Sequence, residues 1–150
     1  MRREKVECVT RTEILDLIKK KPGIHFRGVC RHMGREIGVI QYHVRLLEKN
    51  KHIVAEPDGR FIRYYPGGMG IDVIGKKLLA SWARPVEKLL LRTMYSNESI
   101  STAHTTLGIT TQAVTWHLER MRAAGLIAGI VMLPEVARAI NELTRRGILT

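Results

Sequence analysis

GREIGVIQYHVRLLEKNKHI, Gly34 to Ile53, sets Ile40, Val44 and Leu47 at the spacing of one helix face and then runs through polar residues to an apolar one. Gly34 stands where a preceding helix would end, because a left-handed closing residue is adopted most easily by glycine. The same pattern returns from Gly108 to Ile127 as GITTQAVTWHLERMRAAGLI. At a constant shift of 74 (117 − 43), Gly34 falls on Gly108, Ile40 on Val114, Tyr42 on Trp116, His43 on His117, Val44 on Leu118, Leu47 on Met121 and Ile53 on Ile127. No gap is needed. A repeat of this length describes the whole architecture and implies two related modules.

Working outward, Thr10 to Lys20 places Ile14, Leu15, Leu17 and Ile18 on one side of a helix, with Thr10 or Thr12 as its cap, after a basic tail over Met1 to Lys5. It stops at Pro22-Gly23. His25 to Met33 spaces Phe26, Val29, Cys30 and Met33 for a second helix that Gly34 ends. The third is expected from about Glu36 to about Asn50, leaving Gly38, Val39, Gln41, Tyr42 and Arg45 outward. His52 to Glu56 and Phe61 to Tyr65, around Pro57-Asp58-Gly59-Arg60, predict a β-hairpin, since an Asp-Gly turn between apolar runs favours one.

Pro66-Gly67-Gly68-Met69-Gly70 is the expected linker. Beyond it, Ile71 to Trp82 predicts a connecting helix, Pro85 to Tyr95 and Ser99 to Leu107 repeat the first two helices, and Thr110 caps the second copy of the third. Where the first copy has its hairpin, Ile127 to Leu133 runs straight into Pro134, so a missing or single-stranded hairpin is expected. Pro134 opens a last amphipathic helix with Val136, Ala139, Ile140 and Leu143 on one face, ending at Gly147. The expected organisation is residues 1–66 as the first module, 67–84 as linker and connecting helix, and 85–150 as the second module.

Net charge is +11 over 150 residues, with a pI near 10.2. Residues 1–70 hold 15 Lys/Arg against 8 Asp/Glu and residues 71–150 hold 10 against 6, which makes +7 and +4. Such a balance favours a polyanionic partner, and the first half is the stronger candidate. The longest apolar run, Leu126 to Leu133, is too short to span a bilayer, and the basic start leads into no secretory segment, so no membrane association and a cytoplasmic location are expected. Cys8 and Cys30 are too few for a disulfide scaffold and are read as thiols.

Lys21-Pro22-Gly23-Ile24-His25-Phe26-Arg27, leading to Gln41-Tyr42-His43 and Leu47-Glu48, with Arg84-Pro85-Val86-Glu87 and Val114-Thr115-Trp116-His117-Leu118, resembles the archaeal tandem winged helix-turn-helix transcriptional regulators related to the MarR and ArsR groups. The resemblance implies a mainly α fold with a small β-wing in two tandem modules, the second with a reduced or missing wing. It implies duplex DNA binding, transcriptional regulation and a homodimer. This chain departs from the pattern at Glu36, where a small capping residue is usual, and at the second wing.

Under that reading the third helix enters the major groove. Gly38 permits close approach, Gln41, Tyr42 and Arg45 can reach base edges or phosphates, and His43, repeated as His117 beside the inward stripe, is expected among the DNA-binding residues as a packed or phosphate-facing imidazole. Arg27, Arg31, Arg35, Arg60 and Arg63 are phosphate candidates that would fix register. Glu119 replaces Arg45 in the second copy, so that module is expected to pack, dimerise or accept a regulator, with Gln112, Thr115 and Trp116 as its DNA or interface residues. No nucleophile with a nearby base, carboxylate pair or phosphate-cradling loop appears, so no enzyme is expected. Cys30-x-His32 with Cys8 and His25 is the only metal-like constellation, and a buried thiol accounts better for Cys30, so no metal or cofactor is assigned. Two other readings share these residues: a winged-helix scaffold docking onto transcription or other machinery, and a non-specific chromatin-like DNA-binding protein.

Overall fold

The computed structural model describes residues 2–149, with the side chains of residues 2–7 and 102 outside that description. The chain packs as two units, residues 1–70 and 71–150. The first contains α1 (Arg2–Lys20), β1 (Ile24–His25), α2 (Phe26–Met33), α3 (Ile37–Lys49), β2 (Ile53–Asp58) and β3 (Phe61–Pro66). Helix α1 begins well before the expected cap. Thr12 lies inside it and donates its hydroxyl to the Cys8 carbonyl one turn back at 2.9 Å, while Thr10 is buried. The expected tail over Met1 to Lys5 is therefore helical from Arg2, and Met1 lies outside the described residues. Polar residues can continue a helix begun elsewhere without an apolar stripe to reveal it.

Two caps define α2. His25 Nδ1 accepts the Gly28 N–H at 2.8 Å, and Gly34, at φ 59°, closes the helix by donating to the Cys30 carbonyl at 3.0 Å. Glu36 precedes α3 without a side-chain cap bond, as its chemistry suggests. Ile40, Val44 and Leu47 then point into a core formed with Ile14, Ile18, Val29, Ile53 and Tyr64. This burial fixes how α3 is rotated and therefore which of its residues stay outside.

The sheet order is β1-β3-β2, all antiparallel. Asp58 pairs with Phe61 and Ile53 with Pro66, so the turn is only Gly59-Arg60 and the strands extend beyond their expected ends. Pro57 is tolerated within β2 because that strand lies at the sheet edge. Gly67 is also more than linker: a Cβ there would lie 2.2 Å from the Lys51 carbonyl oxygen.

In the second unit, α4 (Val73–Trp82) packs on α5 (Pro85–Tyr95) and on α8 (Pro134–Arg145); α6 (Ile100–Leu107), α7 (Thr111–Ala123), β4 (Ile127–Ala128) and β5 (Val131–Met132) lie between them in sequence. The segment expected to connect modules is thus built into this unit through buried Leu78 and Leu79. Asp72 caps α4, Ser99 caps α6 and Thr110 caps α7, while Gly108 ends α6 at φ 60°. The expectation of a missing or single-stranded hairpin is corrected: Ile127 pairs with Met132 and Ala128 with Val131 around Gly129-Ile130. Gly129, at φ 61°, supplies the tight turn without the polar residues that usually signal one.

Candidate nucleic-acid interface

Between α3 and the hairpin of the first unit lies a cleft of about 580 Å³. Arg27 from α2, Gln41 and Arg45 from α3, and Arg60 from the hairpin turn all line it. Their convergence follows from local rules. Inward Ile40 and Val44 leave Gln41 and Arg45 outward one turn apart, and the two-residue turn puts Arg60 at the hairpin tip. The cleft thus gathers three guanidiniums against one carboxylate, Glu48, among its described lining residues, so it attracts an anion. Phe61 also lines it, its ring centroid 5.1 Å from that of the capping His25, which ties the hairpin to the start of α2.

Other expected residues lie elsewhere. Gly38 is exposed, with no atom within 4 Å of where its Cβ would be, so that part of α3 is open to close approach. Tyr42 is 52 % exposed, and its ring meets that of His43 edge-on at 5.2 Å. His43 itself is buried, so of the two places expected for it the imidazole takes the packed one, against Tyr42, and it is removed from the DNA-binding residues. Arg31 and Arg35 are exposed away from the cleft lining, and Arg35 pairs with Glu13 at 3.4 Å.

Arg63 requires a second correction. It is 5 % exposed, with Nε donating to Asp58 Oδ2 at 2.6 Å and Nη1 to the Gly23 carbonyl at 2.8 Å. Strand β3 is the central strand, so Arg63 lies opposite both His25 and Glu56 with no free edge toward solvent. It clamps the hairpin to the α1–β1 turn instead of offering its charge to a phosphate. Glu48 and Phe61 were absent from the sequence-based candidates; the i, i+3 relation of Arg45 to Glu48 and the position of Phe61 beside the turn are the signals that mark them.

Burial pushes the Tyr64 hydroxyl up, with Glu48 and Cys30 adding to the effect, and burial also pushes up the Cys30 thiol. Both groups therefore stay protonated near neutral pH, which suits packing. Cys8 and Cys30 are free thiols. His25 is engaged as a cap, and His32 contacts Lys21 Nζ at 2.9 Å and the Gly28 carbonyl at 3.1 Å. Among the described residues no three His, Cys, Asp or Glu side chains gather as a metal site.

In the second unit Gln112, Thr115, Trp116 and Glu119 are exposed on α7. Trp116 meets the His117 ring edge-on at 4.8 Å, with the Arg120 guanidinium 5.5 Å from its centroid. Beneath them Glu87, 1 % exposed, accepts from Ser81 Oγ at 2.6 Å and lies 3.1 Å from His117 Nδ1, 3.6 Å from Arg120 and 3.8 Å from Arg84. An acid near a helix start ordinarily suggests a favourable dipole contact at the surface. The inward spacing Glu87, Leu90, Leu91 is the signal that places it inside.

Residues 8–78 match the family HTH_HVO_0163_N, an N-terminal HTH domain. The match spans just under half of the chain and takes in α2, α3 and the whole hairpin. An uncharacterized HTH-type transcriptional regulator of Methanocaldococcus jannaschii is 24% identical over 134 residues, covering 89% of this chain and 34% of that protein. The chain therefore spans about a third of the relative's length. No solved structure matches. The family match and the α2–turn–α3 geometry agree on a helix-turn-helix fold for the first unit.

Proposed function

We propose that this chain is a sequence-specific, double-stranded DNA-binding transcriptional regulator, with α3 in the major groove and the β2–β3 wing on the backbone. The observation that carries the reading is the convergence of Arg27, Gln41, Arg45 and Arg60 on the cleft between α3 and the hairpin, within the segment that resembles N-terminal HTH domains. Gln41 and Arg45 are placed to read base edges, and Arg27 and Arg60 to hold phosphates. No catalytic step or cofactor is part of this function.

The proposal extends to the second unit as a related module, in a tandem arrangement like that of the MarR/ArsR-related regulators, with 1–66 and 85–150 as the two modules and 67–84 joining them through α4, which packs within the second unit. Support comes from α6 and α7, which have the same 8 and 13 residues as α2 and α3, and from Gly34 and Gly108 at matching left-handed φ. With Glu119 in the place of Arg45 and a hairpin of two-residue strands, this module serves packing, dimerisation or regulation. A cytoplasmic homodimer on an inverted-repeat operator follows, with half-sites about one helical turn apart.

Selection of bound fragments from a random duplex pool at about 0.15 M salt, where the Debye length is near 8 Å, tests this directly. The wild type should enrich an inverted repeat, and an Arg45→Ala/Arg60→Ala variant should lose it. Arg45→Ala alone should weaken specific binding by more than about 1 kcal/mol, and Glu119→Ala should change it little. Binding without a consensus would favour the chromatin-like reading, and absence of binding would favour the scaffold.

A further inference from the structure

The outward face of α3 is not wholly polar. Ile37 is 64 % exposed, Val39 40 % and Tyr42 52 %, and none of the three lies on the stripe that fills the core. Ile37 lies one turn before Gln41, and Val39 and Tyr42, three residues apart, lie on the other flank, so exposed apolar side chains bracket Gln41 and Arg45, two of the residues that line the cationic cleft. Apolar side chains exposed on both flanks of a cationic helix face suit a partner that is anionic at its edges and apolar within reach of the helix. The DNA major groove meets both conditions, because phosphates line it and the thymine 5-methyl is its characteristic apolar group.

We propose that α3 is a thymine reader: Ile37, Val39 and Tyr42 contact thymine methyls, while the Gln41 amide donates to N7 and accepts from N6 of an adenine in the same A·T-rich element. The inference rests on the DNA-binding function above and gives it a base preference. Tyr42 is suited to the role because buried His43 supports its ring edge-on, so less ordering is left to occur on binding. Gly38, open to solvent and lacking a side chain, lets the helix axis come close enough for short Val39 to reach a methyl.

The test uses the duplexes enriched by the full chain, resynthesised with deoxyuridine for thymidine. The base pairing is unchanged, and only the 5-methyls are removed. Affinity should fall about fourfold for each methyl read, the value of one buried methyl-sized group. The exposed-site variants Val39→Ser and Tyr42→Ser should bind thymidine duplexes more weakly and discriminate less between the two DNAs. Tyr42→Phe should keep the discrimination. An enriched consensus bound equally well with uracil overturns this inference alone, as does undiminished discrimination by both serine variants. Failure to enrich any consensus overturns the sequence-specific function on which this inference rests.

Discussion

Replacing Arg63 with alanine separates the clamp seen in the fold from the phosphate contact expected of a wing arginine. The side chain is almost wholly buried and spans two segments, Asp58 at the wing tip and the Gly23 carbonyl before β1. Breaking a fully buried ion pair costs about 3–5 kcal/mol. Asp58 keeps 27% of its side-chain surface, so water screens part of that loss and about 1–2 kcal/mol is the appropriate share. The orphaned Gly23 carbonyl adds about 1 kcal/mol or more. A total near 3 kcal/mol would lower the melting temperature of a unit this size by roughly 12 °C or more. Both tryptophans, Trp82 and Trp116, lie in the second unit, so fluorescence follows that unit, while amide hydrogen exchange in β2 and β3 follows the first. Wing protection should collapse in Arg63→Ala while the tryptophan-detected transition stays in place. Stability within about 0.5 kcal/mol of wild type, together with a DNA-binding salt slope reduced by about 0.9, would refute the clamp and restore the phosphate contact.

Glu87→Ala should destabilise the second unit by about 2–3 kcal/mol, because it leaves several partly buried donors without their shared acceptor; a tryptophan-detected urea transition unchanged from wild type would show that the network contributes nothing. Gly67→Ala forces a Cβ against the Lys51 carbonyl and should cost about 2 kcal/mol or more, whereas Gly68→Ala, at φ 70° in open space, should cost about 1 kcal/mol. Equal losses in urea unfolding would reject the steric account. Because the fold raises the Cys30 and Tyr64 pKa values, the unfolded chain releases those protons first, at its reference values of 9.0 and 10.0. Stability of the first unit is therefore fully present below that window and falls as pH rises through it. Tyr64→Phe should flatten the alkaline part of a hydrogen-exchange or urea profile, and a profile as steep as wild type would contradict the assignment. At pH 8, an alkylating reagent should modify exposed Cys8 before Cys30, in an order read by mass spectrometry.

The features legible in the chain were those set by neighbours a few residues apart. The inward stripe Ile40, Val44, Leu47, the closing Gly34 and Gly108, the caps at Ser99 and Thr110 and the Asp-Gly hairpin each depend on local spacing or backbone freedom. The outward positions of Gln41 and Arg45 follow from that stripe, which is why they could be named from the sequence. Tertiary structure decided the rest, because charge has a different meaning once its distance from water is known. Arg63 looked like Arg60, yet the central position of β3 and a carbonyl 40 residues away made one a clamp and left the other at the tip. His43, one residue from exposed Tyr42, went inward with the core, and Glu87, inward by its spacing, found its partners because α4, α5 and α7 bring Ser81, His117 and Arg120 around it. Periodicity can tell which way a residue points along its own helix. Only the packed structure determines whether water or a distant partner awaits it there.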